Sequence, residues 1–193
     1  MNTETILASV RRYISLNDEE TEYFTSLLLP TRVRQHDFIE QNGETTKYFI
    51  YVTSGCLMTY FTDKDATDHV IQFATTGWWT GDLASFTRQQ PSIYATKALA
   101  DSEVLLLPRK EMDNLLEKCP KFEKYFRTIF QNSLITHQNR LIQTLSATAE
   151  ERYTAFGQKY PSLEQFVPLK YIASYLGITP EFLSKVRRKM MDR

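Results

Sequence analysis

The chain has 193 residues, 42% hydrophobic and 24% charged, with 23 basic and 23 acidic side chains and therefore no formal net charge. That length suits one or two domains with a real core, and the composition is that of a soluble globular protein; zero net charge argues for no partner from the chain as a whole. Its two cysteines, Cys56 and Cys119, exclude a four-thiolate iron–sulfur cluster and zinc-finger spacing, and read as packed thiols in a reducing cytosol. The N-terminal MNTETILASVRRYISL has no continuous apolar region, and no apolar run is long enough to span a bilayer. A cytoplasmic protein without a membrane partner is expected.

Residues from about Thr3 to Leu29 read as helical. Ile6, Leu7, Val10 and Ile14 form one stripe, Asn17 or Asp18 caps a second helix through Tyr23, Phe24 and Leu27, and Pro30 ends it. From Thr31 to Pro108 the texture changes to short β-branched and aromatic runs. The strands expected are Arg32–Arg34, Phe38–Glu40, Tyr48–Thr53, Leu57–Thr62, Asp68–Ala74, Ser92–Ala98 and Glu103–Leu107, with a hairpin tip at Asp63-Lys64-Asp65. Many short strands with turn glycines between them suggest a closed or double-sheet β-roll.

Beyond Pro108 the chain turns helical. Arg109–Lys118 is one helix, and Lys121 to about Ser146 runs without glycine or proline. Phe126, Phe130, Leu134, Leu141 and Leu145 make one stripe on it, with His137 filling the fourth position as a core histidine, and Tyr125, Ile129 and Ile142 begin a second. A helix apolar on two faces needs two partners: one is the β-roll, the other the same helix of a second subunit. Ala149–Tyr160 is a further helix, and Pro161-Ser162 opens a linker.

The end of the chain, PLKYIASYLGITPEFLSKVRRKMM, carries two amphipathic patterns about a glycine turn. Leu169, Ile172, Ala173 and Leu176 share one helical face; Gly177 supplies the positive φ that reverses the chain; Thr179 is the N-cap of the second helix, with Pro180 at its first position. That second helix buries Leu183, Val186 and Met190 and leaves Glu181, Ser184, Lys185 and Arg188 opposite, flanked by Arg187 and Lys189. Small Ala173, Gly177 and Leu183 have the spacing of a helix-turn-helix. Pro168 to Arg193 holds six basic and two acidic residues, while the rest of the chain holds 17 and 21. A neutral protein with its positive charge on one terminal hairpin has the electrostatic footprint of a DNA-binding unit. The plain alternative is an αα-hairpin that only packs.

The order of these parts resembles the Crp/Fnr family of bacterial transcription regulators. Its landmarks are Gly43-Glu44, Tyr48-Phe49-Ile50 leading to Gly55, then Gly77 and Gly81-Asp82-Leu83. The C-terminal pattern is most similar to a Bacteroidetes-type subgroup; Met191-Asp192-Arg193 leaves no room for a following β-hairpin. The resemblance implies an α+β chain: N-terminal helices with a jelly-roll-like, cyclic-nucleotide-binding-domain-like β-roll (residues 1–120), a long dimerisation helix (121–146) and an all-α helix-turn-helix domain (147–193). It implies double-stranded DNA, a second copy of the chain, RNA polymerase and a small effector as partners. Thr179, Pro180, Glu181, Ser184, Lys185, Arg187, Arg188 and Lys189 are then the DNA-contacting set. Trp78, Trp79, Gly81, Asp82, Leu83, Ser92, Ile93 and Tyr94, with His137 and Gln138 on the long helix, are the effector-pocket candidates.

The departures from the family pattern concern that pocket. Cyclic-nucleotide-binding members hold the cyclic phosphate with a glycine–glutamate turn and, about ten residues later, an arginine followed by a small hydroxyl residue. Here aspartate stands in the turn, and the two later positions hold Ser92 and Ile93. A phosphate without its guanidinium loses about 2–5 kcal/mol of binding. No cofactor is expected, and cyclic AMP is not expected as effector. Trp78 and Trp79 either line a pocket for an aromatic or apolar ligand or fill the core. Two other classes remain: an effector-binding signalling protein without DNA binding, and a cupin-like metal enzyme. The latter needs clustered histidines, and this stretch has only His36 and His69, without an H-x-H.

Overall fold

A computed structural model describes residues 3–191; Asp192 and Arg193, which enter both the terminal charge and the expectation of no following hairpin, lie outside the described residues. The chain forms two compact units. One runs through Phe61 and resumes over Gln72–Phe130; the other comprises Thr62–Ile71 and the chain from Gln131 onward.

The first unit opens with α1 (Glu4–Arg11) and α2 (Asp18–Ser26). Asn17 is the cap of α2: its side chain accepts from the Glu20 N–H at 2.8 Å, and the Glu20 carboxylate accepts from the Asn17 N–H at 2.9 Å. The helical stretch stops before the expected Leu29, because Leu29-Pro30 already belong to β1 (Leu29–Val33). Proline is tolerated there because β1 is the edge of its sheet.

Seven more strands follow: β2 (Phe38–Glu40), β3 (Tyr48–Ser54), β4 (Cys56–Thr62), β5 (Asp68–Thr75), β6 (Trp79–Thr80), β7 (Ala95–Ala98) and β8 (Ser102–Pro108). They form two four-stranded sheets, ordered β1-β8-β3-β6 and β2-β7-β4-β5. The stretch Ser92–Tyr94, expected to begin a strand, precedes β7, and a helix that the sequence did not announce, α3 (Leu83–Arg88), lies between β6 and β7.

Alternation with a period of two decides where the cores sit. On β3, Ile50 and Val52 face Leu57, Ala74 and Ala98 between the sheets, and so do Val104 and Leu106 of β8. Their neighbours Phe49, Tyr51, Leu105 and Leu107 form the opposite face, packed against Ile6, Val10, Phe24, Leu115, Phe122 and Phe126. Both faces of this sheet are therefore buried, one by a sheet and one by helices. Gly55, between β3 and β4, has no substitute: a Cβ there would lie 2.3 Å from Ser102 Oγ and 2.6 Å from the Asp101 carbonyl oxygen. Cys56 and Cys119 are buried free thiols, and burial pushes Cys56 up to about 12, which keeps it unreactive.

After α4 (Arg109–Lys118), α5 (Lys121–Ser146) is packed along its first part and, from Leu134 on, leaves its apolar residues exposed. Phe122, Tyr125 and Phe126 are buried, whereas no residue from Gln131 to Ser146 is. Phe130, on the same stripe as Leu141, sits 5.6 Å from the Phe49 ring and belongs with the roll.

The second unit contains α6 (Ala149–Lys159), a turn of 3₁₀-helix (Leu163–Gln165), α7 (Leu169–Leu176) and α8 (Pro180–Met191). Thr148 and Glu151 cap α6 reciprocally. Phe156, Tyr160 and Tyr175 form an aromatic cluster with centroids 5.2 to 5.9 Å apart, beside buried Leu163, Val167 and Ile172. The segment Asp68–Ile71 is fastened to this unit: Ser174 Oγ donates to the Asp68 carbonyl and accepts from the Val70 N–H, at 2.7 and 2.9 Å.

Candidate nucleic-acid interface and roll interior

The turn between α7 and α8 follows from Gly177. At φ +68° its N–H donates to the Ser174 carbonyl, and the next N–H, of Ile178, reaches back to the Ala173 carbonyl, both at 3.1 Å. This pair of bonds closes α7 with a Schellman motif, which a residue with a Cβ adopts only at a cost. Thr179 Oγ1 then accepts from the Phe182 N–H at 3.2 Å, so the threonine caps α8.

On α8, Leu183 and Val186 are buried while Glu181, Ser184, Lys185 and Arg188 are exposed. At 100° per residue those four share one face. Two of the expected flanking contacts are already engaged. Lys189 pairs with Glu150 of α6, and Arg187 is half-buried with its Nε out of water. Phe182, by contrast, is 49% exposed beside Glu181. It was missed because an aromatic in an amphipathic pattern is read as core. A phenyl ring there is suited to a thymine methyl.

In the roll, Gly81, Asp82, Leu83 and Ser92 are brought together. Asp82 is buried and caps α3: Oδ1 accepts from the N–H groups of Ala84 and Ser85 at 2.9 and 3.0 Å, and Oδ2 accepts from Ser92 Oγ at 2.8 Å. The chain's own carboxylate thus occupies the donors that an incoming anion would need. The Gly43-Glu44 turn closes over it, with Gly43 N–H donating to the Ser92 carbonyl and Ser92 N–H to the Glu44 carbonyl.

The other pocket candidates disperse. Trp79 lies on the helix-covered face, stacked on Phe49 at 4.6 Å, and its Nε1 donates to the Tyr125 hydroxyl at 2.9 Å; it is a core tryptophan. Trp78, half-buried, packs on the core between the sheets. Ile93 and Leu83 are 62% and 44% exposed, and Tyr94 is half-buried. His137 and Gln138 lie in the second unit and are exposed. His137 is therefore not the core histidine expected: among the described residues, no member of its stripe after Phe130 is buried. Partial desolvation, with Arg140 and Lys159 adding to it, holds its imidazole below the usual range.

A buried polar group remains between the sheets that sequence reasoning missed. Thr59 shares hydrogen bonds with Thr80 and Thr96, at 3.1 and 3.0 Å, and Thr96 reaches Glu40 Oε2 at 3.4 Å. Glu40 Oε1 and Thr46 Oγ1 are buried without a partner within bonding distance. Burial, with the charge of Asp82 adding to it against the nearby hydroxyls of Thr46 and Thr96, pushes the Glu40 carboxyl from 4.5 up to about 7. Below pH 4.5 the group is protonated in both folded and unfolded chains. Between there and pH 7 the unfolded chain sheds a proton that the fold retains, so this group's contribution to stability falls as pH rises and levels off above 7. Glu40→Gln is expected to raise stability at pH 8 by about 1–3 kcal/mol and to change it little at pH 4.5, as read by urea unfolding at the two pH values. An equal effect at both would mean that ionisation is not the cause.

The fold is an α+β chain with N-terminal helices, a double-sheet roll and C-terminal helices. Residues 30–119 match the cyclic nucleotide-binding domain family. No curated protein matches in sequence. Solved structures match in fold along most of the chain. FixK2 of Bradyrhizobium japonicum superposes with a TM-score of 0.75 at 17% identity, covering 86% of this chain and 85% of that one. The c-di-GMP-responsive global regulator CLP of Xanthomonas campestris gives 0.72 at 13%, covering 91% and 92%. The catabolite activator protein of Thermus thermophilus gives 0.58 at 18%, covering 92% and 85%. At these identities the likeness is one of fold.

Proposed function

We propose that the protein is a homodimeric, DNA-binding transcription regulator of the Crp/Fnr type, whose recognition helix is α8 and whose roll does not take cyclic AMP. The observation that carries this reading is the exposed face Glu181, Ser184, Lys185 and Arg188 on a helix capped by Thr179 and set at a Schellman turn. A glutamate accepts from cytosine N4, and lysine or arginine donates to guanine O6 and N7. A packing helix also turns a polar face to solvent, and what sets this one apart is charge: Pro168 to Arg193 holds six basic and two acidic residues, against 17 and 21 in the rest of the chain. The second subunit is the partner for the bare end of α5, and the two-fold that relates the copies sets two α8 helices one turn of DNA apart, about 34 Å. Among the described residues no three His, Cys, Asp or Glu side chains are grouped to hold a metal, and His69 is bonded to Asp63 at 2.6 Å.

The reading face is tested by binding to a randomised-site library. Lys185→Ala is expected to relax base preference at one position per half-site and to weaken the selected site by about 1–3 kcal/mol. Lys189→Ala, which takes the ammonium away from the Glu150 carboxylate beside α8, is expected to weaken all sequences alike without changing base preference. Even scaling by both substitutions would show that α8 does not read bases through this face.

A further inference from the structure

On the side of α5 turned away from its bare apolar face, α5, α6 and α7 enclose a cleft of about 220 Å³, all of it within the second unit. At 100° per residue, Gln143 in the cleft points 180° from Leu134 on the apolar side, so a dimer formed through the apolar side leaves the cleft open. No acidic side chain lines it, whereas three cations do: Arg140, Arg152 and Lys159. Arg140 stacks 4.0 Å over the Tyr175 ring and donates to the carbonyls of Val70, Ile71 and Tyr175. Arg152 Nη1 donates to the Leu176 carbonyl at 2.8 Å, while its Nε is buried without a partner. Lys159 Nζ lies 3.3 Å from the Tyr175 hydroxyl.

Carbonyl oxygens orient a guanidinium but do not cancel its charge, so this part-buried cleft carries a concentrated positive field. Two forked guanidinium groups, an ammonium and the amides of Asn139 and Gln143 form a donor-rich set, and such a set matches the oxygens of a phosphate. The volume decides the size of ligand: it is below the roughly 300–1,000 Å³ of pockets for drug-sized molecules.

We propose that this cleft binds a small phosphorylated anion, of the size of pyrophosphate or a sugar phosphate, through Arg152 and Lys159 with Arg140 beside them. The Arg140 guanidinium also ties Val70 and Ile71 to α7, so an anion that shares it acts on how α7, and α8 after it, are held. The site stands whether or not α8 reads DNA.

The test is calorimetric titration of the full chain with sodium pyrophosphate at low ionic strength, without DNA. Saturable binding with a dissociation constant below about 1 mM is expected. Lys159→Gln is expected to weaken it about fivefold and Arg152→Gln with Lys159→Gln at least about tenfold, with the fold of each verified by circular dichroism. Lys185→Gln with Arg188→Gln, which removes cations of the DNA-reading face, is expected to leave it unchanged. No saturable heat up to about 10 mM overturns the proposal. So does unchanged affinity in the Lys159 and double variants, and so does loss of binding in the Lys185/Arg188 variant, which would place the phosphate on the surface meant for DNA.

Discussion

Replacing Leu141 and Leu145 together by glutamate is expected to yield a soluble monomer with an intact roll. Along α5, Leu134, Ile135, Leu141, Ile142 and Leu145 are 58, 51, 60, 59 and 78% exposed. Leu134, Leu141 and Leu145 recur at i, i+7 and i+11, a left-handed coiled-coil seam, with Ile135 and Ile142 widening it. Each such side chain contributes about 1.5–3 kcal/mol when fully buried, and a two-fold axis counts every one twice. Glutamates at these two positions would set four carboxylates against one another across the seam. Loss of the dimer removes the second half-site contact, an expected drop of about 10²–10⁴ in operator affinity. Sedimentation velocity at micromolar concentration reads the first effect and fluorescence anisotropy on the operator the second. Phe130→Glu is a poor substitute for this test, since that ring packs on Phe49 and its loss would disturb the roll. A wild-type protein that sediments as a monomer would contradict the assignment.

The second large effect concerns Asp82. Its carboxylate meets two backbone N–H groups and the Ser92 hydroxyl. Asp82→Ala removes the cap of α3 and leaves buried donors short of an acceptor, for an expected loss of about 2–4 kcal/mol by urea unfolding. The same carboxylate opposes a bound cyclic phosphate by charge and by holding its donors. Wild-type protein titrated with cyclic AMP or cyclic GMP is therefore expected to show no saturable heat below about millimolar, where binding is worth about 4 kcal/mol. Asp82→Glu with Ser92→Arg and Ile93→Ser, which rebuilds the guanidinium, is the complementary variant. A low-micromolar dissociation constant in the wild type would sink the idea.

Much of the fold is written in local patterns. The two-residue alternation of Phe49-Ile50-Tyr51-Val52 requires a sheet with two covered faces, and Gly177 with Thr179 and Pro180 marks a helix end and a helix start within three residues. The rest depends on tertiary placement. The stripe on α5 is continuous in sequence, so where the roll stops covering it, at Phe130, cannot be read from periodicity. Trp78 and Trp79 are adjacent and must point to opposite faces, but which of them faces the helices is decided by the two-residue strand β6. Asp82 is legible as a departure from a glycine–glutamate turn, whereas the inward direction of its carboxylate depends on Ser92, ten residues away. α3 carries serine, threonine and arginine on a six-residue span, too short for a helical period to show. The anion cleft collects residues from three helices, and no motif joins them.

In the proposed dimer, two copies of α8 read a two-fold site. Selection of bound fragments from a random duplex pool, followed by sequencing, tests it most directly. Enrichment of a pseudo-palindrome is expected, its half-sites centred about 10–10.5 base pairs apart, with preference lost at one position per half-site in Lys185→Ala. A pool that remains random, or that yields a single asymmetric half-site, would contradict it.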